Sequence, residues 1–130
     1  MNTSITNKNV KILVVDDHAL TRNMVKAILK GLGYDNVTQA ENGENAIRYL
    51  EDPSFEVVIC DWNMPNMSGL EVLQQVRAMS NYKELPFLML TAEAYRENVT
   101  AALQSGVTEY IVKPFTAEIL ANKLESVLKN

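Results

Sequence analysis

Asp16 and Asp17 follow the apolar run Ile12–Val15, Asp61 follows Val57–Cys60, Thr91 follows Phe87–Leu90, and Lys113 follows Tyr110–Val112. Three carboxylates, a hydroxyl and an ammonium thus leave the same kind of segment at the same end. If those segments lie side by side and run one way, the groups converge. Two carboxylates about 4 Å apart repel by about 1 to 4 kcal/mol, depending on how much water reaches them. Such a cluster takes up a cation or keeps a proton. Hard oxygen donors favour Mg²⁺, with Mn²⁺ as a substitute, over Zn²⁺. Acids at segment ends also cap helices and face solvent, and the Asp16-Asp17 pair by itself fits that use equally well. The conjunction with Asp61, Thr91 and Lys113 is what points to a site.

The elements that must position these groups can be read from the pattern between them. Leu20, Met24, Ile28 and Leu32 recur every fourth residue, with Val25 and Leu29 beside them. Leu70, Leu73 and Val76 repeat the period, as do Leu120, Leu124 and Val127. Gly33 and Gly106 stand where the first and fourth helical patterns stop. Ser68-Gly-Leu-Glu71 has the spacing of a capping box and opens the third helix. Strands separated by helices imply crossovers and a parallel sheet. Ile12–Val15, Val57–Cys60 and Phe87–Leu90 are continuously apolar, as strands covered on both faces are. Asn36–Ala40 and Thr108–Val112 are more polar and belong at the edges. The expectation is a flavodoxin-like (βα)5 three-layer sandwich with strand order 2-1-3-4-5. Ligands of such sheets bind beyond the strands' carboxyl ends, where the winding reverses.

The chain has 130 residues, 47% hydrophobic and 22% charged, enough for one domain with one core. Residues 1–9 read as a flexible polar segment and residues 10–130 as the domain, with no effector domain expected after it. No apolar run approaches a membrane span, and the N-terminus lacks the apolar core of a signal peptide. Cys60, the lone cysteine, reads as a small core residue in a reducing, cytoplasmic setting. A net charge of −4 without a basic stripe argues against nucleic-acid binding.

The chain resembles the receiver domains of two-component response regulators, the single-domain chemotaxis regulators most of all. The resemblance is carried by Val14-Val15-Asp16-Asp17, by Asp61-Trp-Asn-Met-Pro-Asn-Met-Ser-Gly-Leu70, by Thr91-Ala-Glu-Ala94 and by Tyr110-Ile-Val-Lys-Pro-Phe-Thr116, and it runs over roughly Lys11 to Leu128. It implies that Asp61 accepts a phosphoryl group from a kinase phosphohistidine. Asp17, Asp61 and the backbone carbonyl of Asn63 would ligate Mg²⁺, and Asp16 would hold a metal-bound water. Lys113 and Thr91 would contact phosphoryl oxygens. The chain would be a switch that catalyses its own phosphorylation and dephosphorylation, not a turnover enzyme.

The same resemblance implies a relay in which Thr91 moves toward the phosphoryl group and Tyr110 turns inward. The face formed by the fourth helix, fifth strand and fifth helix is then remodelled for a protein partner. Its contact residues would be Ala94, Tyr95, Arg96, Val99, Tyr110, Val112 and Lys123. Asn63 and Glu93 would tune the phosphoryl lifetime toward fast reset. The expected partners are a sensor histidine kinase, a downstream target such as a flagellar switch protein, and a phosphatase, with the chain itself a monomer. Lys113–Pro114 would be a cis peptide. His18 reads as an exposed loop residue, since hard Mg²⁺ sites seldom use imidazole. Tyr95 stands where the chemotaxis regulators resembled here carry a lysine, which opens the identity of the target. A haloacid-dehalogenase-type phosphatase would resemble a D-x-D pattern; here Asn63 fills the second acid's place and cannot transfer a proton.

Overall fold

The computed structural model describes residues 9–92 and 96–128, the second span with side chains from residue 99 onward. Glu93, Ala94, Tyr95 and the Arg96 side chain lie outside the described residues.

Strands and helices alternate: β1 (Ile12–Val15), α1 (Ala19–Gly31), β2 (Val37–Ala40), α2 (Gly43–Tyr49), β3 (Val57–Asp61), α3 (Gly69–Ala78), β4 (Phe87–Thr91), α4 (Arg96–Gln104), β5 (Glu109–Val112) and α5 (Ala117–Leu128). The strands form one sheet of order β2-β1-β3-β4-β5, and every pairing is parallel. Every residue of β1, β3 and β4 is buried, whereas β2 and β5 are mostly half-exposed. The continuously apolar runs therefore occupy the centre and the mixed ones the edges.

Side chains alternate across the pleat, and the two faces hold separate cores. Leu13, Val15, Val58, Cys60, Phe87 and Met89 pack with Ala46 of α2, Val72, Leu73 and Val76 of α3, and Ala102 of α4. Ile12, Val14, Val57, Ile59, Leu88 and Leu90 pack with Val25 and Leu29 of α1 and with Leu120, Leu124 and Val127 of α5. Each such aliphatic side chain removed from water contributes about 1.5 to 3 kcal/mol.

Local signals agree with this layering. Ser68 and Glu71 form the reciprocal capping box at α3. Gly33 and Gly106 adopt φ of 98° and 90° just past α1 and α4, a left-handed turn that side chains with a Cβ resist. One expectation shifts. The sheet-facing stripe of α1 is Val25 and Leu29, with Ile28 and Leu32 half-buried, while Leu20 and Met24 are exposed. Leu20 and Met24 sit about 100° or more around the helix from Val25 and Leu29, so they turn away from the sheet.

Candidate functional site at the carboxyl edge of the sheet

The parallel register delivers the chemical residues to one place. Val15 is aligned with Cys60, Asp61 with Leu90, and Thr91 with Val112. Asp16, Asp61, Thr91 and Lys113 therefore end four neighbouring strands in nearly one row. Backbone bonds stitch the row together: Trp62 N donates to Leu90 O at 2.8 Å and Lys113 N to Thr91 O at 2.7 Å. The Lys113–Pro114 peptide is cis.

Asp16, Asp61 and Thr91 are the buried polar residues of the described chain. Lys113 Nζ lies 2.7 Å from Asp61 Oδ1 and 3.6 Å from Asp16 Oδ2. Burial pushes the Asp61 carboxyl up from its ordinary pKa, and the charges of Asp16 and Asp17 push the same way; the hydrogen bond and charge of Lys113 pull it back. Three carboxylates facing one ammonium leave an excess of negative charge when all are ionised. Asp16 Oδ2 and Asp17 Oδ1 are moreover buried without a hydrogen bond. Buried carboxylate oxygens without a hydrogen bond are costly, and a hard divalent cation is a group that satisfies them. The residues present fit Mg²⁺.

Around the cluster, Asn63 is exposed and Tyr110 is half-buried against the core under α2 and α3. Val99 and Lys123 are half-buried and Val112 is exposed, and Lys123 Nζ sits 3.2 Å from Glu109 Oε1. Cys60, fully buried, has its thiol pKa pushed well up by burial and then by Asp61 and Asp16, which keeps it an unreactive core group. At the opposite edge of the sheet an open groove of about 490 Å³, lined in part by Val10, Phe55, Tyr82 and Val127, offers no comparable cluster.

Two participants escape a reading of spacing. Arg22, on α1, donates from Nη1 to the Asp16 carbonyl at 2.8 Å and from Nε to Gln39 Oε1 of β2 at 3.0 Å. It thereby anchors the loop that carries the acid pair. His18 is exposed, as expected, yet its ring turns back toward Asp16 and Asp17. Both effects depend on loop path and helix rotation, for which the sequence carries no motif.

Comparison with known proteins decides the family. The family described as response regulator receiver domain matches residues 12–125. The chain belongs to the response-regulator receiver domains. This receiver is 47% identical over 126 residues to the chemotaxis protein CheY-3 of Vibrio cholerae serotype O1, covering 97% of each chain. The solved structure of Vibrio cholerae CheY4 superposes with a TM-score of 0.88 at 40% identity, over 92% of this chain and 99% of that one. The receiver domain of the sensor histidine kinase PA1611 of Pseudomonas aeruginosa, solved with a magnesium ion coordinated in its active-site cleft, gives a TM-score of 0.86 at 29% identity, over 94% and 99%. The receiver is thus CheY-like, of the two-component chemotaxis kind, and its expected strand order is the one observed. Among the described residues, no helix is long and apolar enough to cross a membrane.

Proposed function

We propose that this receiver is a transient phosphorylation switch whose phosphoacceptor is Asp61. The observation that carries the reading is the buried Asp61 carboxylate, held 2.7 Å from Lys113 within a cluster in which Asp16 Oδ2 and Asp17 Oδ1 are buried without a hydrogen bond. A carboxylate oxygen of Asp61 attacks the phosphorus of a kinase phosphohistidine. A P–O bond forms, the P–N bond breaks, and the departing imidazole keeps the electron pair and takes a proton. Positioning and charge neutralisation do most of the work in such transfers.

Asp17, Asp61 and the Asn63 carbonyl would hold Mg²⁺, with Asp16 orienting a water. Bound there, Mg²⁺ neutralises charge on the phosphoryl oxygens. Lys113 exchanges its contact with Asp61 for one with a phosphoryl oxygen, and the Thr91 hydroxyl donates to another. Loss of the Lys113–Asp61 contact and movement of Thr91 shift the population toward a second packing in which Tyr110 turns inward. The output face comprises Val99, Tyr110, Val112 and Lys123, joined by Ala94, Tyr95 and Arg96. Asn63 and Glu93 flank the path of the hydrolytic water and favour a short-lived mark. The chain acts as a cytoplasmic monomer that receives its phosphoryl group from a sensor histidine kinase and gives its signal to a protein target, with flagellar motor control as the leading assignment.

Trp62 follows Asp61 directly and reports on it. Mg²⁺ titration should change its fluorescence, acetyl phosphate should change it further, and Asp61→Asn should abolish the second change. A donor response that survives in Asp61→Asn would remove Asp61 from its role.

A further inference from the structure

The β2 edge of the sheet is open, and a row of cations runs beside it. Ile12 N donates to Asn36 O at 2.9 Å and Asp16 N to Ala40 O at 3.1 Å. The even-numbered residues of this strand thus turn their backbone groups toward β1, and Val37 and Gln39 turn theirs outward. Among the described residues no strand lies beyond β2, and no backbone bond reaches Val37 or Gln39 from outside the sheet.

The side chains of both residues lie on the α1 face. Val37 packs on the core shared with that helix, and Gln39 bonds Arg22 and Asn23. Arg22, Lys26 and Lys30 recur every fourth residue of α1 along this edge. Arg22 lines a hollow of about 120 Å³ with Gln39, Ala40 and Tyr49. Lys26 and Lys30 line another of about 300 Å³ with Tyr34 and Val37. Among the described residues none of the three cations is paired with a carboxylate; Asp35 and Glu41 flank the strand at its two ends. Helical residues four apart are about 6 Å apart along the axis, and alternate residues of a strand are about 6.6 Å apart. A strand laid against β2 would therefore carry every second side chain at the spacing of the cations. The side chains between them would fall on the α2 face, where the Tyr49 ring is 45% exposed.

We propose that the β2 edge docks, by strand addition, an extended segment of a partner protein in which acidic and apolar residues alternate. Main-chain bonds supply affinity in such pairing and alternate side chains supply selectivity. Charge selects the occupant. A second copy would set the same three cations against each other, which is how charged edges escape self-pairing. Residues 1–8 of the chain contain no acid. Nucleic acid has no amide backbone to pair with Val37 and Gln39, and the row is short in a chain of net charge −4. Because β5 forms the other edge of the sheet, the site is separate from the proposed output face and independent of the phosphorylation reading.

The probe is a fluorescein-labelled nine-residue peptide alternating glutamate and valine, its binding followed by anisotropy. Wild type is compared with the double variant Lys26→Glu, Lys30→Glu; both lysines are exposed, and circular dichroism checks the fold. Binding should weaken at least about tenfold in the double variant. The neutral pair Lys26→Gln, Lys30→Gln should fall between, and a peptide with lysine for glutamate should not bind. Hydrogen exchange at the Val37 and Gln39 amides should slow in the complex. Absence of binding, or binding that leaves those two amides unprotected, would overturn the proposal. A dimer of the free chain with the same amides already protected would give the edge to a second copy and overturn it as well.

Discussion

Asp61 and Asp16 share Lys113 unequally: its Nζ bonds Asp61 Oδ1 at 2.7 Å and stops 3.6 Å short of Asp16 Oδ2. One cation cannot satisfy two buried carboxylates, and Asp17 adds a third to the same edge. The metal-free protein therefore folds against a local repulsion, which its large apolar core overcomes. Most of what can be tested about the site follows from this imbalance.

Asp16→Asn should stabilise the metal-free protein. The amide oxygen can still accept the His18 N–H, while one buried negative charge disappears. A gain of about 1 to 2 kcal/mol is expected from the removed repulsion, read as a higher urea midpoint in the presence of a chelator. The same variant should lose the stabilisation that added Mg²⁺ gives wild type, which follows from binding to the folded state alone.

Arg22→Ala should weaken Mg²⁺ binding although Arg22 touches no proposed ligand atom. Its bonds to the Asp16 carbonyl and to Gln39 hold the acid-bearing loop against β2. Loss of about 1 kcal/mol of ordering corresponds to roughly a fivefold rise in the Mg²⁺ dissociation constant. Gln39→Ala should act in the same direction and more weakly. A Trp62 fluorescence titration measures both.

Two glycines should respond oppositely to alanine. A Cβ on Gly69 would overlap the Asp61 carbonyl oxygen and approach Met89 Sδ at 2.8 Å and Trp62 Cα at 2.9 Å. Backbone cannot yield as a flexible side chain can, so Gly69→Ala should cost about 1 to 3 kcal/mol and displace Asp61. A Cβ on Gly31, in α1, meets nothing within 4 Å. Gly31→Ala should stabilise by about 0.5 to 1 kcal/mol. Thermal unfolding of the two variants checks the pair.

Alkaline pH should unfold the protein in part through Tyr34. Burial, and then Glu125, raises its pKa above the ordinary value of 10.0. A raised pKa means the folded state holds the proton more tightly than the unfolded chain. The contribution is complete below the unfolded value and is lost as pH climbs through the folded one. Stability should fall above pH about 10, and less steeply in Tyr34→Phe, as denaturation at pH 9 and 11 would show.

Much of the architecture was legible because parallel strands covered on both faces must be continuously apolar, and Ile12–Val15, Val57–Cys60 and Phe87–Leu90 say so directly. The site was legible for a related reason. Asp16, Asp61 and Thr91 each follow or end such a run, and Lys113 follows the edge strand β5, so strand order brings the four together. The rotation of α1 was not legible, since Leu20 and Met24 continue the same helical period that buries Val25 and Leu29. Only the rotation of the helix about its own axis against the sheet separates the exposed pair from the buried one. The Arg22 anchor and the turn of the His18 ring depend in the same way on three-dimensional placement that spacing does not encode.

The sealed position of Cys60 has a practical consequence. As the sole sulfhydryl of the chain, wholly buried between sheet and helices and disfavoured from ionising, it should stay silent toward maleimide reagents in the folded protein. A single engineered surface cysteine can then carry a spin or fluorescent label without first stripping the native one. Motion of the proposed output face could be followed in a background that still carries its natural core.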